Sequence, residues 1–110
     1  MIFDKYLSDT YLDILYSNYD IKYLKSIDSN NFTEIYNLLK DKGFYFLDDI
    51  IINYIDIFEL DKNYLNKVLT YLETTYGKGY IKKIGRDMTI LDKIIDTKLR
   101  DWLKEKPPKR

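Results

Sequence analysis

The chain has no cysteine, no histidine and no alanine, and its 110 residues include only two prolines, four glycines and one valine. Without cysteine there is no disulfide scaffold, no thiolate zinc site and no cysteine nucleophile, and without histidine there is no Ser-His-Asp triad. No side chain titrates near neutral pH unless it is strongly perturbed. The scarcity of proline and glycine excludes collagen-like and linker-like character. Neither G-x-G-x-x-G nor G-x-x-x-x-G-K-[ST] occurs, so both standard phosphate cradles are missing. No apolar run approaches the roughly 20 residues of a membrane helix. Met1-Ile2-Phe3-Asp4-Lys5 places no basic stretch before an apolar segment, as a secretory signal would. These absences lead us to expect a cytoplasmic, non-enzymatic protein with no metal and no cofactor. An enzyme built on Asp, Glu, Lys, Tyr or Ser is the remaining catalytic alternative.

Apolar residues make up 45% of the chain and charged residues 33%, which suits a soluble globular fold rather than a disordered one. The length suits one domain. We expect a single helical domain over residues 1–106 and a mobile basic tail over 107–110, after Pro107-Pro108. Isoleucine and lysine (15 each), tyrosine (12) and asparagine (7) dominate, against three arginines. Their codons are A/T-heavy, so an AT-rich bacterial, phage or mobile-element genome explains the abundance of tyrosine without invoking a binding surface.

Charge is unevenly distributed. Residues 1–62 hold 6 Lys and 12 Asp/Glu, a net of −6, whereas residues 63–110 hold 12 Lys/Arg and 6 Asp/Glu, a net of +6. Such a division allows the halves to attract one another, the basic half to meet nucleic acid or an acidic protein, or the acidic half to dock a basic partner.

Apolar spacing predicts helices along the chain. Phe3, Tyr6, Leu7, Thr10, Tyr11 and Ile14 form a first stripe that breaks near Ser17-Asn18, and Ile21, Leu24 and Ile27 form a second. Asp28-Ser29-Asn30-Asn31 signals a turn, with Asn31 as N-cap and Glu34 completing a capping box. Phe32, Ile35, Tyr36 and Leu39 mark the next helix, and Gly43 marks its end. Segment 44–60 admits a strand, from Phe44-Tyr45-Phe46-Leu47 and Ile50-Ile51-Ile52. It also admits a helix, from the stripe Leu47, Ile50, Ile51, Tyr54, Ile55, Phe58 with Asp48-Asp49 in its first turn; the helix is preferred. Asp61 or Asn63 caps a helix with Leu65, Val68, Leu69, Leu72 and Tyr76 on one face, ended by Gly77. A short helix around Tyr80, Ile81 and Ile84 stops at Gly85. A last one starts near Asp87 or Thr89 and is lined by Leu91, Ile94, Ile95, Leu99, Trp102 and Leu103. The class is all-α: a compact single-domain stack of five or six short helices.

Two units repeat, one from Asn31-Phe32 to Phe58-Glu59-Leu60-Asp61-Lys62 and one from Asn63-Tyr64 to Thr89-Ile90-Leu91-Asp92-Lys93, with a period of about 31–32 residues. Leu38-Leu39 and Gly43, the run Ile50 to Ile55, Phe58, and then Leu69, Leu72 and Gly77 give residues 32–94 a spacing that resembles the mitochondrial transcription termination factor-type helical repeat. That family usually has proline at the start of the short terminal helix, where this chain has Asp56 and Met88 nearby. The resemblance implies a right-angled helical stack and nucleic-acid contact.

Residues 80–94 also look like a helix-turn-helix, with Gly85 as turn glycine and Ile81, Ile84, Leu91 and Ile94 as packing positions. Lys82, Lys83, Arg86, Thr89, Lys93 and Arg100 would then contact bases or phosphates, opposed by Asp87, Asp92 and Asp96. An ordinary helical hairpin with solvated lysines is the alternative. The acids at 48–49 and 56–61 lack the alternating oxygen pattern and turn glycine of a cation loop, and helix capping accounts for them. Most tyrosines lie beside apolar stripes and are expected at the edge of the core. An exposed subset would suit protein recognition, because tyrosine offers large contact area at low entropic cost.

Taken together, the sequence predicts a small accessory or regulatory protein that binds another macromolecule. A protein partner is preferred, engaged through Tyr45, Asp48, Asp49 and Tyr54. A DNA-binding regulator using the basic C-terminal half is the alternative. No membrane contact is expected, and homo-oligomers are allowed.

Overall fold

Ser8 divides the first apolar stripe. Its backbone is extended and its hydroxyl accepts from the Tyr11 amide at 3.4 Å, so a 3-10 turn over Ile2–Lys5 ends and helix α1, Asp9–Asn18, begins anew. The re-phased helix buries Leu15 completely and leaves Ile14, which the stripe had placed inside, 37% exposed. The computed structural model describes residues 1–95. Asp96, Leu99, Arg100, Trp102, Leu103 and the expected 107–110 tail lie outside the described residues, as does the end of the expected 1–106 domain.

After α1 come α2 (Ile21–Lys25), α3 (Ser29–Lys42), α4 (Leu47–Asn53), a 3-10 turn (Ile55–Glu59), α5 (Lys62–Tyr76), α6 (Tyr80–Arg86), a 3-10 turn (Met88–Leu91) and α7 (Asp92–Ile95). No strand occurs among the described residues, so the all-helical class expected from the sequence is the class observed; within 44–60, however, the single expected helix is broken at Tyr54 into α4 and a 3-10 turn, and residues 44–46 are not helical. No described helix is long and apolar enough to cross a membrane.

The cap of α3 differs from the expected one. Asp28, not Asn31, accepts from the amides of Asn30 (2.8 Å) and Asn31 (3.4 Å), so the helix starts three residues earlier. Asn31 is left to reach across to another segment. At the other end Gly43 adopts φ 105°, with its amide bonded to the Lys40 carbonyl and the Phe44 amide to that of Leu39, a Schellman closure. A Cβ is disfavoured at that φ, so Gly43→Ala is expected to cost about 1–2 kcal/mol in urea unfolding. An unchanged midpoint would contradict this account of the helix end.

The chain divides into two compact units, Met1–Lys62 and a second that begins at Asn63. The boundary falls where the sequence charge changes sign. In the first unit α1 packs on α4, and α3 packs on α4 and on the 55–59 turn. Phe3, Leu15, Phe32, Ile35, Ile51, Ile55 and Phe58 are fully buried there. In the second unit Leu65, Val68, Leu69 and Leu72 of α5, Tyr80 and Ile84 of α6, and Ile90 and Leu91 are buried.

The two units share an element order: long helix, left-handed glycine (Gly43 or Gly77, φ 84°), seven-residue helix, 3-10 turn. A shift of 33 residues carries Phe32, Ile35 and Leu39 onto Leu65, Val68 and Leu72, then Leu47 and Ile51 onto Tyr80 and Ile84, then Ile57 and Phe58 onto Ile90 and Leu91. Every one of these residues is buried. The repeat expected from the sequence is therefore present in the element order, with a period of 33 residues rather than 31–32.

Candidate functional site

Tyr45 is the most exposed large apolar side chain described, at 70%. It lies in the short segment between Gly43 and α4, where Phe44 turns inward and is buried. Asp48 and Asp49 follow in the first turn of α4, where carboxylates oppose the positive helix end. Tyr11 from α1 and Tyr36 from α3 complete a depression of about 400 Å³, lined by Tyr11, Tyr36, Tyr45, Phe46, Leu47, Asp48 and Asp49. The rings of Tyr45 and Phe46 stand at 85°, their centroids 5.0 Å apart, and so form two walls meeting at a corner.

Both acids are half-buried. The Tyr11 hydroxyl donates to Asp49 Oδ1 at 3.4 Å. No lysine or arginine among the described residues forms an ion pair with either acid; the described salt bridge is the exposed one between the N-terminal ammonium and Asp4. Burial and the neighbouring Asp49 charge push the Asp48 carboxyl above the usual aspartate range. The Asp49 charge foremost, with some burial, raises the Tyr11 phenol, while burial and then Asp48 raise that of Tyr36.

An acid whose folded-state pKa is raised holds its proton after the unfolded chain has lost its own. Stability therefore falls as pH rises from the unfolded aspartate pKa through the folded one, and the loss is complete above it. Asp48→Asn should flatten that part of the pH–stability curve measured by chemical denaturation. A variant as pH-dependent as the parent would contradict the assignment.

Of the residues expected to bind protein, the structure brings together Tyr45, Asp48 and Asp49. Tyr54 is not among them: it is half-buried, between α4 and the 55–59 turn. Sequence reasoning missed Tyr11, Tyr36 and Phe46 at this site. Tyr11 and Tyr36 were visible only as members of their own helical stripes.

The expected nucleic-acid residues divide as well. Lys82, Lys83 and Arg86 line a second depression of about 420 Å³, with Gly79 and Asp87. Lys83 and Lys93 converge on Tyr76: their ammonium groups lie 5.2 and 5.8 Å from the ring centroid, and Lys93 donates to the hydroxyl at 3.1 Å. Thr89 is engaged locally, its hydroxyl and its amide (3.2 Å) both donating to Asp87. The helix-turn-helix expectation needs correction at its centre. Gly85 lies inside α6 and has no positive φ; the turn comes at Asp87, and a 3-10 turn rather than a helix follows it. Without a left-handed glycine the chain has no cause to turn at residue 85, and Asp87 caps the next element instead.

The acids at 56 and 59 serve a local contact. The Tyr23 hydroxyl is bonded to Asp56 at 2.8 Å and to Glu59, and burial together with these bonds raises its phenol strongly. Among the described residues no three carboxylates converge as a metal site would require. No family model, curated protein or solved structure matches the chain.

Proposed function

We propose that the protein is a non-enzymatic binding module that engages a partner protein at the depression around Tyr45, Asp48 and Asp49. The supporting observation is that α1, α3 and α4 with the segment leading into it bring four aromatic rings, the exposed Tyr45 among them, and two half-buried acids to one concave site. Exposed tyrosine at a rimmed pocket is the composition of a recognition hot spot rather than of a solvated face. The absence of His and Cys from the sequence supports the non-enzymatic part of the reading.

A photo-crosslinking residue at position 45, compared with one at exposed Lys67, tests it. The expected result is discrete, nuclease-resistant protein adducts from position 45 only, lost in an Asp48→Lys background. Equal labelling from both positions would overturn it.

A second reading has its own observation. Lys82, Lys83 and Arg86 share one depression, and the helical-repeat resemblance points toward nucleic acid. On this reading the chain binds duplex DNA steeply weaker at about 200 mM than at about 50 mM salt, and Lys82→Glu with Lys83→Glu abolishes binding without loss of helicity.

A further inference from the structure

We propose that the depression between Tyr11, Tyr36, Tyr45 and Asp48 receives a single lysine or arginine side chain from a basic segment of a partner protein. This rests on the protein-binding reading above and names the chemistry of the occupant. At about 400 Å³ the site lies near the small end of ligand pockets and has room for a long side chain.

Its lining discriminates among occupants. An anion meets two carboxylates and is repelled. An apolar side chain would bury those carboxylates further without giving them a partner, which is unfavourable. A cation gains both. The Asp48 carboxylate accepts no hydrogen bond from a described side chain, the Asp49 carboxylate accepts a single long one from Tyr11, and neither forms an ion pair with a described lysine or arginine. The first turn of α4 supplies only about half a unit of opposite charge, and a full ammonium or guanidinium does more. The aromatic rings of Tyr45 and Phe46 in the lining would add cation–π attraction for such a group. The net −6 of residues 1–62 would draw a basic segment toward this unit.

The repeat gives an independent reason to regard this lining as something other than a folding requirement. Leu47 and Ile51 of α4 have buried counterparts in Tyr80 and Ile84 of α6, so the fold demands those positions. Asp48, Asp49 and Phe46 instead correspond to Ile81, Lys82 and Gly79. The same helix forms in the second unit without acids and without the aromatic corner.

The test uses the full chain and a blocked Gly/Ser peptide carrying three arginines, with its three-glutamate analogue as control, followed by amide NMR. Saturable shifts are expected at Tyr45, Asp48 and Asp49 with the arginine peptide only. Asp48→Asn with Asp49→Asn should weaken binding about tenfold or more, and Tyr45→Leu about fivefold, from loss of the ion pairs and of the ring face respectively. Asp48→Glu with Asp49→Glu keeps the charge and should retain most of the affinity, which separates charge from folding. Equal binding of the glutamate peptide, unchanged affinity in the double Asn variant, or shifts confined to other surfaces would overturn the proposal. So would the same shifts on concentrating the protein alone, which would make a second copy the occupant. If crosslinking from position 45 persists while the arginine peptide fails to bind, the cation assignment falls and the protein-binding reading stands. Loss of position-specific crosslinking is the failure of that reading itself.

Discussion

Replacing Phe32 by alanine is expected to remove about 3–5 kcal/mol of stability, the range for deleting a buried aromatic ring from a core that cannot fully collapse. Phe32 is completely buried. Its ring meets Phe3 edge-on at 5.2 Å, Tyr6 at 5.4 Å and Phe58 in a near-parallel stack at 4.6 Å. These contacts join the N-terminal 3-10 turn, α3 and the 55–59 turn, so one cavity loosens three segments. Against a typical total of about 5–15 kcal/mol, the loss leaves the fold marginal at room temperature. Urea unfolding followed by circular dichroism measures it. Phe32→Leu should recover part of the loss. Tyr45→Ala, at the exposed end of the same unit, should stay within about 0.5 kcal/mol of the parent. A loss below about 1 kcal/mol for Phe32→Ala would mean that this cluster does not organise the core.

Asn31→Asp should be the most damaging of the conservative surface changes. The Asn31 amide donates to the carbonyls of Phe58 at 2.8 Å and Leu60 at 3.0 Å, and so ties the start of α3 to the chain leaving the 55–59 turn. An aspartate donates nothing when ionised and sets its charge against two carbonyl oxygens. Position 31 also lies in the first turn of α3, where an acid gains about 0.3–1 kcal/mol from the helix dipole. The two part-buried carbonyls left without a donor cost more, about 2–3 kcal/mol together, so net destabilisation is expected. The sign with pH is definite. Protonated aspartate can still donate one bond, so the variant should lose stability relative to the parent as pH rises through the aspartate range. Chemical denaturation at pH 3 and pH 7 reads this directly. A variant equal to the parent at pH 7 would show that these hydrogen bonds do not hold the segment.

The helical class was legible because apolar spacing and glycine punctuation agree. Gly43 and Gly77 were expected as helix ends and both have positive φ, since each follows a long amphipathic stripe at the position where only a residue without a Cβ closes the last turn cheaply. Gly85 carried the same letter but lies within a helix. No stripe of comparable length precedes it, and Asp87 offers a competing cap two residues on. Ser8 was overlooked as a break because Tyr6, Leu7 and Tyr11 remain in helical phase across it, whereas the hydroxyl bond that restarts the helix leaves no trace in periodicity.

Half of the candidate site was equally legible. Tyr45, Asp48 and Asp49 lie close together in sequence, so local reasoning could group them. Tyr11 and Tyr36 are 38 and 12 residues from Asp49 and Asp48, and nothing local announces that they share a pocket. The sequence by itself determined which segments are helical, where two of them stop, that two units repeat, and that charge changes sign between those units. All of these follow from interactions within a few residues or from simple composition. Only the tertiary structure decided which aromatic residues surround the two acids, that Asn31 spends its amide on a distant turn rather than on its own helix, and that Tyr54 is not part of the site's lining. Those outcomes depend on how α1, α3 and α4 pack, and packing is fixed by the joint fit of many buried side chains rather than by any one stretch of the chain.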